Sequence, residues 1–191
     1  MPIFDTPPRN GSLRPVDADM RAGTEALVAR FRRAFAEIDF EIAWASDTVN
    51  ARALFGQPRN KVVLYGGLVR HKAMGEEGLT LALAHEVGHL LGGKPRHPYH
   101  FWLSCEGVAD YWATRHGIRR IWQGAERASR LRLGAHQLLK LQRSTLRGLP
   151  VSRRRRDGGG HYPCLVTLPP SCRWRTWMAG LRNEARPFCA C

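Results

Sequence analysis

The sequence predicts an α+β domain with a small mixed sheet and a mainly helical C-terminal half. Three observations support this prediction: short β-prone segments occur only in the first third, a strongly apolar segment follows with helix start and stop signals, and later leucines recur at helical spacing. The 191 residues, 43% of them hydrophobic, suffice for one domain with a buried core.

The first third of the chain predicts one helix followed by two strands. Asp17 or Asp19 can cap a helix that extends to about Phe35 and carries apolar residues at four-residue spacing on one face. Residues 40–44 alternate apolar and polar side chains, and residues 61–65 (KVVLY) end at a Gly-Gly turn. Both segments are therefore predicted strands.

Helices account for most of the remaining chain. Residues 76–91 form a predicted helix with two acidic residues in its first turn and a glycine pair after its end. Two prolines make residues 94–101 a predicted loop. Further helices are predicted at about 103–116 and 125–147, the second of them basic, and a short one near 174–181.

We expect three regions along the chain. Residues 1–16 are proline-rich and form an irregular N-terminal segment, and residues 17–150 form the main domain. Residues 151–191 are expected to be a basic loop and a cysteine-containing segment that packs on the same domain. Within this last region, residues 153–160 (RRRRDGGG) predict a flexible basic loop.

The net charge of +14 lies entirely in the C-terminal part of the chain. Residues 1–110 contain 13 basic and 13 acidic side chains, whereas residues 111–191 contain 17 basic and 3 acidic ones. This asymmetry is typical of proteins that bind an anionic polymer. Because 26 of the 30 basic residues are arginine, a GC-rich genome would also produce it without any such partner.

The cysteines and the N-terminus give opposite indications of the compartment. Residues 1–5 do not show the basic-then-apolar pattern of a signal peptide, which favours the cytoplasm, and no apolar run approaches the length of a membrane helix. Four of five cysteines crowd the last 28 residues. They are compatible with a disulfide clasp in an oxidising compartment, with a zinc site or with reduced thiols. The five are Cys105, Cys164, Cys172, Cys189 and Cys191.

Residues 85–89 read H-E-V-G-H within a predicted helix. At about 100° per residue, His85 and His89 leave the same helix face and can bind one ion at about 2.0–2.1 Å. Glu86 lies beside that ion, where it can hold and deprotonate a metal-bound water. The pattern therefore indicates a zinc site that activates water. The alternative is a pair of half-buried helical histidines.

A catalytic zinc needs a third protein ligand and one open position. Glu106 and Asp110 lie on the next predicted helix, four residues apart and on one face. Glu106 can complete a His₂Glu site, and Asp110 can accept the N–H of a ligand histidine, His85 in particular. The alternative third ligands are His97 and His100. The longer pattern H-E-x-x-H-x-x-G-x-x-H has its last histidine at the position where this chain has Pro95, so a later histidine would have to replace it.

H-E-x-x-H followed on a second helix by E-x-x-x-D resembles the gluzincin branch of the zincin metallopeptidases. More narrowly, residues 64–71 (LYGGLVRH), 85–93 (HEVGHLLGG) and 105–114 (CEGVADYWAT) are similar to a little-characterised group of bacterial secreted zincins. Residues 172–173 and 186–189 resemble the cysteine-bearing end of that group. The resemblance favours a periplasmic or secreted protein.

This resemblance implies a zincin-like fold and a zinc-dependent metallopeptidase, with residues 17–150 as its catalytic domain. It implies one catalytic Zn²⁺ and a peptide or protein substrate. Glu86 would be the general base and Asp110 the residue that orients a ligand. The implied zinc ligands are His85, His89 and Glu106.

Two features of the substrate site extend the resemblance. The strand at residues 61–65 would be the edge strand of the sheet and would pair with an extended substrate. A second donor to the developing oxyanion is also expected. Its candidates are His97, Tyr99, His100, Tyr111, His116 and His161.

Two other classes of function compete with the peptidase. One is an inactive zincin that only binds a partner, and the other is a basic nucleic-acid-binding protein with an incidental metal. The sequence indicates nothing about oligomeric state.

Overall fold

The computed structural model describes residues 11–56, 58–145 and 168–190. A mixed α+β architecture confirms the predicted fold class. The strands are β1 (Ile38–Ala43), β2 (Ala51–Leu54) and β3 (Asn60–Tyr65). The helices are α1 (Ala18–Ala34), α2 (Gly66–Arg70), α3 (Glu76–Leu91), α4 (Glu106–Trp112), α5 (Ile118–Ile121), α6 (Arg127–Thr145) and α7 (Pro170–Arg182); a π-helical turn (Ala113–Gly117) joins α4 to α5, and a 3₁₀ turn (Phe188–Ala190) follows α7.

The three strands form one mixed sheet in the order β1-β3-β2. β1 pairs with β3 in parallel, with Phe40 opposite Val62, and β2 pairs with β3 in antiparallel register, with Ala53 also opposite Val62. The expectation that residues 61–65 form the edge strand is therefore wrong. β3 is central because β2 covers its second side, and β2 is the edge strand nearest α3.

Among the three strands, β2 is the one that the sequence pattern did not predict. Its residues Ala-Arg-Ala-Leu contain no β-branched or aromatic side chain, so they lack the usual β-propensity signal. The strand forms because Ala51 and Ala53 are small enough to be buried against the core, at 2% and 7% exposure. Tertiary packing thus overrides local preference here.

Helix α3 lies at the centre of the core, in contact with β2, β3, α1, α4 and α6. Residues 78–89 of α3 are all buried, which explains why its sequence is apolar around the whole helix. A β-carbon at Gly88 would lie 2.5 Å from the carbonyl oxygen of Ala109. Glycine at this position therefore lets α4 approach α3 closely enough for their side chains to share one site.

Helix boundaries agree with the predictions at α1 and α3 and differ at α4. Asp17 is the N-cap of α1, since its side chain accepts the Met20 N–H at 2.7 Å. The helix predicted from residue 103 begins only at Glu106, because Cys105 is extended and its N–H is bound to the carbonyl of Pro95. Residues 94–101 contain no helix or strand, as predicted.

The C-terminal segment packs on the main domain through α7, which contacts α4 and the π-helical turn. A disulfide joins Cys172 of α7 to Cys189 of the 3₁₀ turn, whereas Cys105 is buried and takes no part in this bridge. The predicted loop at 153–160 and two of the tail cysteines, Cys164 and Cys191, lie outside the described residues. In the part of the chain that the structure describes, the helices fall short of the length and apolarity needed to cross a membrane.

Candidate metal centre

Helix α3 brings His85, Glu86 and His89 together at the centre of the fold. The two imidazoles lie edge to face with ring centroids 4.5 Å apart. Their ligand atoms and those of Glu86 lie within 4.8 Å of one another, and all three residues are buried. This trio can hold a metal ion, as the H-E-x-x-H spacing predicts.

Helix α4 places Glu106 against both imidazoles. Its Oε2 lies 3.4 Å from His85 Nε2, and its Oε1 lies 3.5 Å from His89 Nε2. Both distances exceed a normal N–H···O hydrogen bond of about 2.7–3.2 Å. His85 Nε2 and Glu106 Oε1 are buried without a hydrogen-bond partner among the described residues. Buried polar atoms are seldom left unsatisfied, so these two atoms are candidate ligand atoms for an ion.

The second nitrogen of each imidazole is already bound, and this fixes the direction of its ring. His85 Nδ1 is 2.8 Å from Asp110 Oδ1, and His89 Nδ1 is 2.7 Å from the carbonyl oxygen of Ser104. An oxygen acceptor at Nδ1 keeps the proton there and leaves Nε2 as the free lone pair. The structure therefore directs both Nε2 atoms towards Glu106. The pairing of Asp110 with His85 has the geometry expected from the sequence.

Asp110 itself is held by two residues of α7 that sequence reasoning missed. Arg173 donates from Nε to Oδ2 at 2.8 Å and from Nη2 to Oδ1 at 2.7 Å, while Trp177 Nε1 donates to Oδ1 at 2.9 Å. Arg173 is 2% exposed and Asp110 is fully buried. Arg173 and Trp177 are four residues apart on one helix face. That spacing is visible in the sequence, but nothing there indicates that this face meets α4.

Glu86 contacts the sheet through the edge strand. The backbone N–H of Ala53 in β2 donates to Glu86 Oε2 at 2.7 Å. This bond orients the carboxylate and leaves its other oxygen available. Burial raises the pKa of Glu86 above its ordinary value, although the neighbouring His89 and His85 oppose this rise.

The remaining groups are electrostatically coupled. Burial acts against the charged form of His85, but the carboxylates of Asp110 and Glu106 raise its pKa to about 9. Burial also opposes ionisation of Glu106, yet His89 and His85 hold its pKa well below the ordinary range. The site without metal is therefore a tightly packed cluster of an ionised carboxylate and a protonated imidazole.

The loop between α3 and α4 forms another wall of the site. Ser104 N–H donates to the His89 carbonyl at 2.7 Å, and His97 N–H donates to the Leu103 carbonyl at 2.8 Å. His97 is 1% exposed. Its Nδ1 accepts the Tyr99 N–H at 3.2 Å, and its Nε2 is buried without a hydrogen-bond partner among the described residues. Among the described residues, the metal-binding trio consists of His85, Glu86 and His89, so it includes neither His97 nor His100, nor Glu106, which lies against the two imidazoles.

The other candidate oxyanion donors are less well placed or lie elsewhere. Tyr111 donates its hydroxyl to the Glu184 carbonyl at 2.6 Å, so it is already engaged at the C-terminal segment. His116 is exposed on the π-helical turn, and Tyr99 is exposed on the loop surface. His161 lies outside the described residues.

Comparison of the chain with models of protein families, with curated proteins and with solved structures finds no match.

Proposed function

We propose that the protein is a zinc-dependent metallopeptidase with a zincin-like site. His85, His89 and Glu106 would hold one catalytic Zn²⁺, and Glu86 would act as the general base. The observation that carries this proposal is the pair of 3.4 and 3.5 Å separations between Glu106 oxygens and the two Nε2 atoms. Asp110 would orient His85.

These separations match what two ligands of one zinc ion require. With bonds of about 2.0–2.1 Å and tetrahedral angles, ligand atoms lie about 3.3 Å apart. Both separations are longer than a normal hydrogen bond, so a cation bound between the atoms would fit the same spacing once His85 has lost its proton. Two imidazoles and one carboxylate are also a ligand set found in zinc hydrolases that keep the fourth position for solvent or substrate. The residues present therefore fit zinc.

The chain itself supplies the proton chemistry. Bound Zn²⁺ would act as a Lewis acid that polarises the scissile carbonyl and lowers the pKa of water. Glu86, fixed at Oε2 by Ala53, would take a proton from the attacking water on its other oxygen and deliver it to the departing amine. Its raised pKa suits this double role, since a general base works best with a pKa near the working pH.

We assign the second oxyanion donor to His97. Because Nδ1 accepts a backbone N–H, a neutral His97 ring carries its proton on Nε2. Burial lowers the pKa of His97 to about 4, so the ring is neutral at pH 7. A buried N–H with no partner among the described residues can donate to a substrate carbonyl oxygen without first breaking another bond.

Metal analysis and peptidase assays on wild type and Glu86→Gln test this function. We expect about one zinc per chain in both proteins, and cleavage of an unfolded protein such as casein only by the wild type. Glu126→Gln is the matched control, because Glu126 is an exposed glutamate at the entrance to α6, and it should cleave normally. Zinc binding without cleavage by the wild type would indicate an inactive binding protein. Absence of stoichiometric zinc would reject the site.

A basic groove is a second candidate for function. Lys140 and Arg143 of α6 and Arg175 of α7 line a cavity of about 1000 Å³. Such a groove can attract an anionic polymer in addition to the peptide substrate. Salt-sensitive retention on heparin that is lost in Arg143→Ser would support it, and unchanged retention would reject it.

The disulfide between Cys172 and Cys189 favours an oxidising compartment, so we propose a periplasmic or secreted location. Mapping free thiols with and without reduction in the protein isolated from its cells tests this. An alkylated Cys172 before reduction would contradict it.

A further inference from the structure

Three aromatic side chains form an exposed patch, here called the aromatic rim: Phe55, Phe101 and Trp102. Their exposed fractions are 57%, 74% and 39%, respectively. Trp102 links the members, since its ring centroid is 4.6 Å from that of Phe101 and 6.5 Å from that of Phe55. A contiguous exposed apolar patch of this kind usually marks a binding surface.

The aromatic rim comes from the two segments that hold the candidate metal centre. Phe55 lies two residues after Ala53, whose N–H binds Glu86. Trp102 lies two residues before Ser104, whose N–H and carbonyl both bind His89. An extended residue spans about 3.3 Å, so both rings start within about 7 Å of backbone that contacts the site. This distance corresponds to one or two residues of a bound peptide.

Strand β2 leads from the site to the aromatic rim. Its outward N–H groups are already used, since Ala51 donates to the Asn50 side chain at 2.9 Å and Ala53 donates to Glu86. Both alanines are buried, at 2% and 7% exposure, whereas Phe55, which follows directly after the strand, is 57% exposed. The surface that a substrate can reach beside this strand therefore begins at the rim.

We propose that the aromatic rim binds an apolar side chain, preferentially an aromatic one, of an extended peptide substrate within two residues of the scissile bond. This inference rests on the proposed function. The rim thereby makes the enzyme selective for unfolded segments rich in large apolar residues. Such side chains gain by stacking and by removal of apolar area from water.

Peptide binding to a catalytically inactive variant tests this proposal independently of catalysis. Two capped octapeptides of alanine and serine, one with a single central phenylalanine, are titrated into zinc-loaded Glu86→Gln by calorimetry. We expect at least tenfold tighter binding of the phenylalanine peptide, because burial of one phenyl ring is sufficient for that factor. Trp102→Ser in the same background should reduce the preference to less than about threefold, and so should Phe101→Ser, whose side chain is the most exposed of the rim.

Leu133→Ser is the matched control, because Leu133 is an exposed apolar residue of α6, 49% exposed, outside the rim. It should retain the full preference. Equal binding of both peptides, or failure to bind either, would overturn the proposal. A preference that survives both rim substitutions would overturn it as well.

Cleavage-site mapping of a proteome-derived peptide mixture by wild-type protein gives an independent readout. We expect large apolar residues within two positions of the cleaved bond, and loss of this enrichment in Trp102→Ser. Cleavage without this enrichment would reject the proposed role of the rim and leave the peptidase function intact. A binding preference for the phenylalanine peptide without any cleavage would reject the peptidase function and leave the role of the rim intact. Rim-dependent adsorption to phosphatidylcholine–phosphatidylglycerol vesicles without peptide preference would assign the rim to a membrane surface and refute the proposal.

Discussion

The buried ion pair between Arg173 and Asp110 should control both stability and zinc affinity. Arg173→Met removes two charge-assisted bonds of 2.8 and 2.7 Å and retains a long apolar side chain. Asp110 is fully buried, so its charge would lose its main compensation. Removal of one partner of a buried ion pair costs about 3–5 kcal/mol of unfolding free energy. Loosening the residue that orients His85 should also weaken zinc binding about 10–100-fold.

Urea unfolding followed by circular dichroism and a competition titration with a zinc chelator measure the two effects. Arg175→Met is the matched control on the same helix, where the arginine is exposed, and it should change stability by less than about 0.5 kcal/mol. The double variant Arg173→Met/Asp110→Asn removes both charges. Its loss of unfolding free energy should be at least about 1 kcal/mol smaller than the sum of the losses in the two single variants. Additive losses, or an Arg173→Met variant as stable as the control, would refute the buried ion-pair explanation.

Three further predictions concern the site. Zinc affinity should increase about tenfold per pH unit from pH 7 to about 9 and then level off. The reason is that His85, whose pKa is raised to about 9, must lose a proton to bind metal. A competition titration that shows the same affinity across this pH range would contradict the prediction. In the metal-free protein, the raised pKa of His85 adds about 3 kcal/mol to the free energy of unfolding, and this contribution is complete below pH 6.5. Urea unfolding should show that it is lost as the pH increases from 6.5 to 9. His97→Phe, which keeps a ring but removes the Nε2 donor, should lower kcat about 100-fold with zinc content and KM nearly unchanged, and a loss of zinc instead would make His97 a ligand.

The sequence predicted those parts of the site that are encoded locally. The positions of His85, Glu86 and His89 on one helix follow from helical periodicity alone. The i, i+4 spacing of Glu106 and Asp110 gave their shared face for the same reason. The boundaries of α3 and the cap of α1 were likewise predictable from short-range chemistry.

The sequence could not predict the parts that depend on long-range packing. Arg173 reaches Asp110 across 63 positions of the chain, and no local pattern pairs two such distant residues. Strand β2 was missed because its alanines carry no β-propensity. The resemblance to zincins placed the edge strand at residues 61–65, which β2 covers in the structure. The partner of Glu86 was missed together with β2, since Ala53 belongs to that strand.

Anomalous diffraction at the zinc absorption edge from crystals of the zinc-loaded protein would locate the metal. We expect one peak bonded to His85 Nε2, His89 Nε2 and a Glu106 oxygen at about 2.0–2.1 Å, with the remaining position open to solvent. A peak at the tail cysteines, or one enclosed by four protein ligands, would contradict a catalytic metal centre.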